Sequence, residues 1–287
     1  MKPSLLARLK LPGLITAPGV FDMVSARVAE SIGFEALYMT GFGVVASHLG
    51  LPDAGLATYT DMLGRVRQIA EGTSTPLIAD GDTGYGGLLN IDHSVRGYEA
   101  AGAAAIQIED QEFPKKCGHT PGRRVVPLDE AARRIKVAAQ ARSSRDFLIV
   151  ARTDARTSLG LDEALRRGEA FLKAGADVLF IESPETLEEM RTIGRTFDVP
   201  LLVNMVEGGR TPVLSRQELE EIGYKLAIFP VSALLASASA LHSVYQELGS
   251  AGSTSAFEGP FYPFGDFTRL MGFERIWAFD REHAESD

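Results

Sequence analysis

Eight short apolar runs, each followed by a stretch of helical periodicity or a polar connection, constrain this 287-residue chain more than any other feature. The runs are Leu14–Ala17, Ala36–Thr40, Leu77–Asp80, Ala105–Glu109, Phe147–Arg152, Val178–Glu182, Leu201–Asn204 and Leu226–Pro230. Each has the length of a strand, and parallel strands buried on both faces read as near-continuous apolar runs. Helical patterns fill the intervals at Val24–Ile32, Tyr59–Glu71, Ile91–Ala101, Leu128–Ala141, Leu161–Lys173 and Pro184–Thr196. Gly33, Gly102, Gly175 and Gly223 stand just past helices, where a left-handed cap belongs. Strands alternating with helices predict an α/β fold, a closed (β/α)8 TIM barrel. The competing arrangement, a doubly wound open sheet, lacks the Gly-x-Gly-x-x-Gly turn after the first strand that would favour it. No linker-like composition divides the chain, so residues 1–287 are expected to form one barrel domain. The eighth helix is expected over Ser232–Leu248. Gly249–Glu258 reads as a flexible loop, and Phe264–His283 as one more amphipathic helix that a barrel does not need.

Composition narrows the partners. The formal net charge is -9 and no basic run interrupts it, which argues against a nucleic-acid surface. One cysteine rules out an internal disulfide framework and a cysteine-built zinc site. There is no apolar signal core at the N-terminus and no run long enough to span a bilayer. A cytoplasmic protein with no membrane partner is the expectation.

In a barrel the active site forms where the strands end. Here those ends carry Thr40-Gly41, Asp80 and Asp82, Glu109-Asp110, Arg152-Thr153-Asp154, Glu182, Asn204, and Pro230 through Ser232. Asp80, Asp82 and Glu109 are oxygen donors with no histidine beside them, a set that favours Mg2+ or Mn2+ over zinc. The competing use of these acids is to cap the following helices or to pair with Arg152. Cys117 stands in Pro114-Lys115-Lys116-Cys117-Gly118-His119, a polar loop closed by Pro121. Lys115, Lys116 and His119 would favour the thiolate, and Gly118 loosens the backbone. A loop of this kind after a barrel strand is where a gate over the site belongs. A lone cysteine can also be an inert packed residue, and composition alone leaves that open.

These residues resemble the isocitrate lyase / phosphoenolpyruvate mutase superfamily, from Ala17-Pro18-Gly19 to Ser232. The matching pieces are Tyr38-Met39-Thr40-Gly41, Gly50-Leu51-Pro52-Asp53, Asp80-Gly81-Asp82-Thr83-Gly84-Tyr85-Gly86 and Glu109-Asp110-Gln111 with the Lys-Lys-Cys-Gly-His loop. Ala151-Arg152-Thr153-Asp154-Ala155 and Asn204-Met205-Val206-Glu207-Gly208-Gly209 continue the match. The cysteine loop marks the lyase side of the superfamily. The resemblance implies a (β/α)8 barrel whose additional C-terminal helix, here 264–283, is exchanged between subunits of a homotetramer. It implies Mg2+ (Mn2+ as substitute) in a shell of Asp53, Asp80, Asp82 and Glu109, with Asp82 as the direct ligand. The amides of Thr40, Gly41 and Phe42 would hold a substrate carboxylate, together with Arg152. Lys115, Gly118, His119, Glu182 and Asn204 complete the expected substrate contacts. Cys117 would be the proton donor, Glu109 and Arg152 would take part in the chemistry, and Tyr38 would act at the 2-hydroxyl.

The substrate so implied is a small 2-hydroxy or 2-oxo dicarboxylate. The stretches Asp80–Gly84 and Gly86–Ile91 are closest to 2-alkylmalate (dimethylmalate) lyases and petal-death-protein-like members. Methylisocitrate lyase, carboxyphosphonoenolpyruvate phosphonomutase and oxaloacetate hydrolase are the alternatives. Residues 230–235 read Pro-Val-Ser-Ala-Leu-Leu, without the arginine that a third carboxylate would need. Leu234 and Leu235 are therefore expected to make the pocket small or apolar.

Overall fold

The computed structural model describes residues 4–118 and 122–284. Eight parallel strands close into a barrel in the order β1 to β8. They are β1 (Ile15–Val20), β2 (Leu37–Met39), β3 (Leu77–Asp80), β4 (Ala105–Glu109), β5 (Leu148–Thr153), β6 (Val178–Ile181), β7 (Leu201–Asn204) and β8 (Leu226–Phe229). The helices before β5 are α1 (Leu5–Leu9), α2 (Met23–Ile32), α3 (Gly41–Val44), α4 (Tyr59–Gly72), α5 (Leu88–Ala100) and α6 (Leu128–Ala141). A π-helical turn, Val45–Leu49, prolongs α3. Beyond β5 come α7 (Ala155–Leu159), α8 (Leu161–Ala174), α9 (Leu187–Thr196), α10 (Arg216–Ile222), α11 (Ser232–Ala251), α12 (Phe264–Leu270) and α13 (Phe273–His283).

The helices start and stop for local reasons. Asp22 and Ser25 form a reciprocal capping box at α2, as do Thr58 and Asp61 at α4 and Ser215 and Glu218 at α10. Gly33, Gly102, Gly175 and Gly223 all take left-handed φ between 90° and 108°, as expected from their positions. The expected single helix over Phe264–His283 is two, because Gly272 sits at φ 89° and ends the first turn sequence. The expected loop at Gly249 begins later, since α11 runs on to Ala251 and stops at Gly252.

Strand periodicity decides what faces the barrel axis. One buried cluster gathers Ile15, Ala17, Ala36, Tyr38, Ile78, Ala105, Leu148, Val150, Val178, Phe180, Leu202, Leu226 and Ile228. Leu5 and Leu9, one turn apart on α1, belong to the same cluster and plug the N-terminal end of the barrel. The other cluster lies between sheet and helices, with Met39, Ile106, Ile149 and Leu179 facing Val66, Ile135 and Phe171. Continuing the inward series in steps of two toward the strands' C-terminal ends gives Asp80, Gln107 and then Glu109, Arg152, Glu182 and Asn204. The barrel filling thus turns from apolar to polar at one end.

Candidate active site

At that end a cavity is lined by Tyr38, Thr40, Phe42, Asp53, Asp80, Glu109, Lys115, Lys116, Cys117, Gly118, Arg152, Glu182 and Asn204, with Val206, Ile228, Pro230 and Val231 as an apolar wall. Nearly all of the residues expected at the site meet here. His119 lies outside the described residues. Leu234 and Leu235 are not in the lining. Leu234 packs among the outer helices and Leu235 is half exposed on α11, because the helix turns away just after Pro230. The apolar character expected of them comes instead from Val206, Ile228, Pro230 and Val231.

The turn after β3 carries Asp82 at φ 47° and Tyr85 at φ 61°, left-handed values that non-glycine residues rarely adopt. Such strain is tolerated where surrounding bonds fix the chain. Asp80 supplies them. Its Oδ1 accepts from the Asp82 amide at 3.1 Å and from Gln107 Nε2 at 3.3 Å, and its Oδ2 accepts from the Gly41 amide at 3.2 Å. This alters the expectation for the carboxylate-holding amides. Gly41's amide is committed to Asp80 and Thr40's to Val20 O at 3.2 Å. Thr40 instead caps α3 by accepting the Gly43 amide. Gly41 itself is required by close approach, since a Cβ there would lie 2.6 Å from Asp80 Oδ2.

Lys115 reaches into the acids rather than toward an open pocket. Its ammonium pairs with Asp53 and, at 2.5 Å, with Asp82 Oδ1, all three side chains being buried. The Cys117 amide also donates to Asp53 O at 3.2 Å, so the cysteine segment is tied to the loop before α4. Gln111 braces the same segment by bonding both the amide and the carbonyl of Lys116. Burial pushes the Asp82 carboxyl up to about 7, with Lys115 opposing and Asp80 and Asp53 reinforcing. Burial likewise raises Glu109 well above the usual carboxylate range, against the pull of Arg152. For Lys115, the charges of Asp82 and Asp53 overcome burial and hold it well above its ordinary value.

Arg152 lies beside Glu109 in the register of β4 and β5, 3.4 Å from Glu109 Oε2 and 3.4 Å from Glu182 Oε2. Its Nε and Nη2 donate to Asp154 at 2.9 Å each, and its guanidinium stands over the Phe180 ring. Asn204 Nδ2 donates to Glu182 Oε2 at 3.1 Å. Tyr38 donates its hydroxyl to Gln107 Oε1 at 3.1 Å, and burial with the nearby Asp80 charge keeps it protonated. Gln107 and Arg123 were not expected here. Gln107 was legible as the one polar residue inside the run Ala105–Glu109. Arg123 reads as one of two adjacent arginines, with no signal separating it from Arg124.

Asp53, Asp80, Asp82 and Glu109 suit a hard divalent cation in chemistry: all oxygen, clustered and buried. Glu109 Oε1 is buried without a hydrogen-bond partner among the described residues, and Asp82 Oδ1 meets the Lys115 ammonium. As they stand, no three acidic side chains among the described residues converge as a ready-made ion site. The physical reason is that Lys115 draws Asp53 and Asp82 to itself, while Asp80 is turned to backbone and Gln107.

The phosphoenolpyruvate phosphomutase family model matches residues 6–248. The chain belongs to this family. It is 46% identical to 2,3-dimethylmalate lyase of Eubacterium barkeri over 94% of each chain. It is 40% identical to a 2-methylisocitrate lyase of Aeropyrum pernix, covering 98% of this chain and 91% of that one. Among solved structures, oxaloacetate acetylhydrolase bound to 3,3-difluorooxalacetate superposes with a TM-score of 0.92 at 35% identity, covering 99% and 97% of the two chains. A 2,3-dimethylmalate lyase described as a PEP mutase/isocitrate lyase superfamily member gives 0.92 at 37%, covering 99% and 96%. Phosphonopyruvate hydrolase, in complex with oxalate and Mg2+, gives 0.88 at 31%, covering 98% of each. The proteins it resembles thus carry the names of lyases, an acetylhydrolase and a phosphonopyruvate hydrolase.

Proposed function

We propose that this chain is a Mg2+-dependent carbon–carbon lyase that splits a 2-hydroxy dicarboxylate, a 2-alkylmalate such as 2,3-dimethylmalate, into a 2-oxo acid and a carboxylate. The observation that carries the reading is the composition of one cavity: the Lys115–Gly118 segment and Asp53, Asp80 and Glu109 share it with an apolar wall of Val206, Ile228, Pro230 and Val231, while Asp82 stands just behind the lining, paired with Lys115. The cations in its lining are Lys115, Lys116 and Arg152, and two of these are already paired with acids. A third carboxylate against the apolar wall would be buried without a partner, which is costly. Alkyl substituents would not be.

Asp82 and Glu109, with Asp53 and Asp80 beside them, would hold the metal; once bound it supplies Lewis-acid stabilisation for the negative charge on the 2-oxygen and a carboxylate. Lys115, freed from these acids, would turn toward substrate, the contact that the family resemblance implies for it. Asp80 acts mainly by fixing the Gly41 and Asp82 amides. Arg152 is held by Asp154 to meet a substrate carboxylate. Tyr38 keeps its proton and directs it in a hydrogen bond to Gln107 Oε1, which leaves a lone pair on its oxygen to accept from the substrate's 2-hydroxyl. When that hydroxyl gives its proton to an ionised carboxylate of the acid group, its oxygen becomes the 2-oxo oxygen and the C2–C3 bonding pair departs as the enolate of the leaving carboxylate. Cys117 gives its thiol proton to that carbon, completing the product. Glu182, Asn204 and Gly118 shape the floor, and His119 is assigned to substrate binding by the family pattern.

We further propose that residues 1–287 act as one barrel domain in the cytoplasm, assembled as a homotetramer by exchange of the C-terminal helices. No residue of α11, α12 or α13 is buried in the isolated chain, although Leu241, Phe273, Ile276 and Trp277 are among their side chains. No helix among the described residues is long and apolar enough to cross a membrane. Hydrolysis of oxaloacetate is a second reading, favoured by the fit to oxaloacetate acetylhydrolase. Pyruvate release from 2,3-dimethylmalate, followed by coupled NADH oxidation, tests the first reading. It is expected to require Mg2+ or Mn2+ and to stop with EDTA. Equal turnover in metal-free enzyme would overturn the acid cluster's role.

A further inference from the structure

We propose that Arg123 is a positioning residue: through the shared carboxylate of Asp154 it sets how Arg152 meets the dianionic substrate. Arg123 and Arg124 are neighbours in sequence with opposite fates. The Arg124 side chain is 80% exposed and pairs with half-exposed Glu112, whereas that of Arg123 is 1% exposed. Burying a guanidinium is unfavourable unless its donors are met, so the chain must hold Arg123 for a reason. Its Nη1 donates to Asp154 Oδ1 at 2.7 Å and its Nη2 to Thr157 Oγ1 at 2.7 Å. The same Oδ1 accepts Arg152 Nη2 at 2.9 Å, and Oδ2 accepts Arg152 Nε. Two guanidinium groups therefore divide one carboxylate, and together they hold it below its ordinary titration range despite its burial.

Asp154 cannot easily move to suit either partner. Its amide donates to Asp110 Oδ1 at 2.9 Å, and Asp110 Oδ2 is in turn held by Thr153 Oγ1 at 2.6 Å and Arg167 Nη1 at 2.9 Å. Neither Arg123 nor Asp154 lines the cavity, but Arg152 does. An effect of Arg123 on ligand must then pass through Arg152. Without Arg123, the whole charge of Asp154 acts on Arg152 and draws it from Glu109 and Glu182 toward the frame. The inference rests on reading the cavity as a dicarboxylate site.

The test is a double-mutant cycle on affinity for 3,3-difluorooxalacetate with saturating Mg2+, measured by calorimetry. Arg123→Gln is expected to weaken binding about tenfold in the parent, the scale of one hydrogen bond to a charged group. In an Arg152→Lys background, where the two-pronged bond to Asp154 is already lost, adding Arg123→Gln is expected to change affinity less than about twofold. Unchanged affinity in the parent background overturns the inference, as does a tenfold loss that persists beside Arg152→Lys. If Arg123→Gln does not fold, Arg123→Lys is put through the same cycle and judged by the same two outcomes. Failure of the parent chain to bind the probe would sink the dicarboxylate reading and this inference with it. Parent binding with no cycle coupling would sink the inference alone.

Discussion

Lys115 and Cys117 are two residues apart, yet the structure gives them different surroundings. Lys115 is buried between Asp53 and Asp82, while Cys117 keeps partial exposure in the same cavity lining. A partly exposed thiol facing the site suits a proton donor and does not suit an inert core residue. Cys117→Ser is therefore expected to lower kcat by about 10²–10⁴-fold, the usual worth of positioned acid–base catalysis, because a serine hydroxyl is a far weaker acid. Substrate Kd by calorimetry and the melting temperature should change little. Parent-level turnover would show that another group protonates the enolate. Asp82→Ala should act differently. It removes an oxygen from the acid cluster and leaves Lys115 with Asp53, so the loss should appear as failure of Mg2+ to raise the melting temperature. A normal Mg2+-induced shift in Asp82→Ala would place the ion elsewhere.

Strands and their polar ends were legible because parallel strands buried on both faces read as short apolar runs that turn polar where they leave the barrel. Residues two apart on β4 and β5 had to share the barrel interior, which is why Glu109 and Arg152 meet. What the sequence hid depends on contacts between elements. That Leu235 leaves the cavity follows from the direction α11 takes after Pro230, and the break in the last helix follows from one glycine at Gly272. That Gly41's amide is spent on Asp80 follows from two strand ends meeting. The segment after β4 offers the sharpest element-level test. A Cβ on Gly118 would lie 3.0 Å from Glu182 Oε2 and closer still to Arg152 Nη2. Gly118→Ala must push the Lys115–Gly118 segment off the floor, at a cost of about 1–3 kcal/mol of overpacking. It is expected to lower kcat/KM at least about tenfold, whereas Gly64→Ala on α4, with open space around it, should be neutral. Equal kinetics for Gly118→Ala and the parent would mean that this segment does not sit over Arg152 in the working enzyme.

At the scale of the molecule, the barrel is filled at one end by Leu5 and Leu9 and opened at the other by acids, so the chemistry is confined to a single face. The C-terminal helices leave that plan. Phe273, Ile276, Trp277 and Phe279 are exposed along α13, more apolar surface than one helix of a lone chain ordinarily shows water. The paired change Ile276→Glu with Trp277→Glu is expected to break the proposed tetramer into smaller species by sedimentation velocity. A parent chain that sediments as a monomer would contradict subunit exchange. Whether the apolar-walled cavity accepts an alkylated dicarboxylate for C–C cleavage is decided by one substrate panel. The purified chain in Mg2+ is given 2,3-dimethylmalate, 2-methylisocitrate, oxaloacetate and phosphonopyruvate at equal concentration, and the products are quantified. 2,3-Dimethylmalate is expected to be cleaved fastest and the tricarboxylate slower by about tenfold or more, the scale of one charged hydrogen bond left unmade. Preferred cleavage of 2-methylisocitrate, or of the P–C bond with no pyruvate from dimethylmalate, would contradict it.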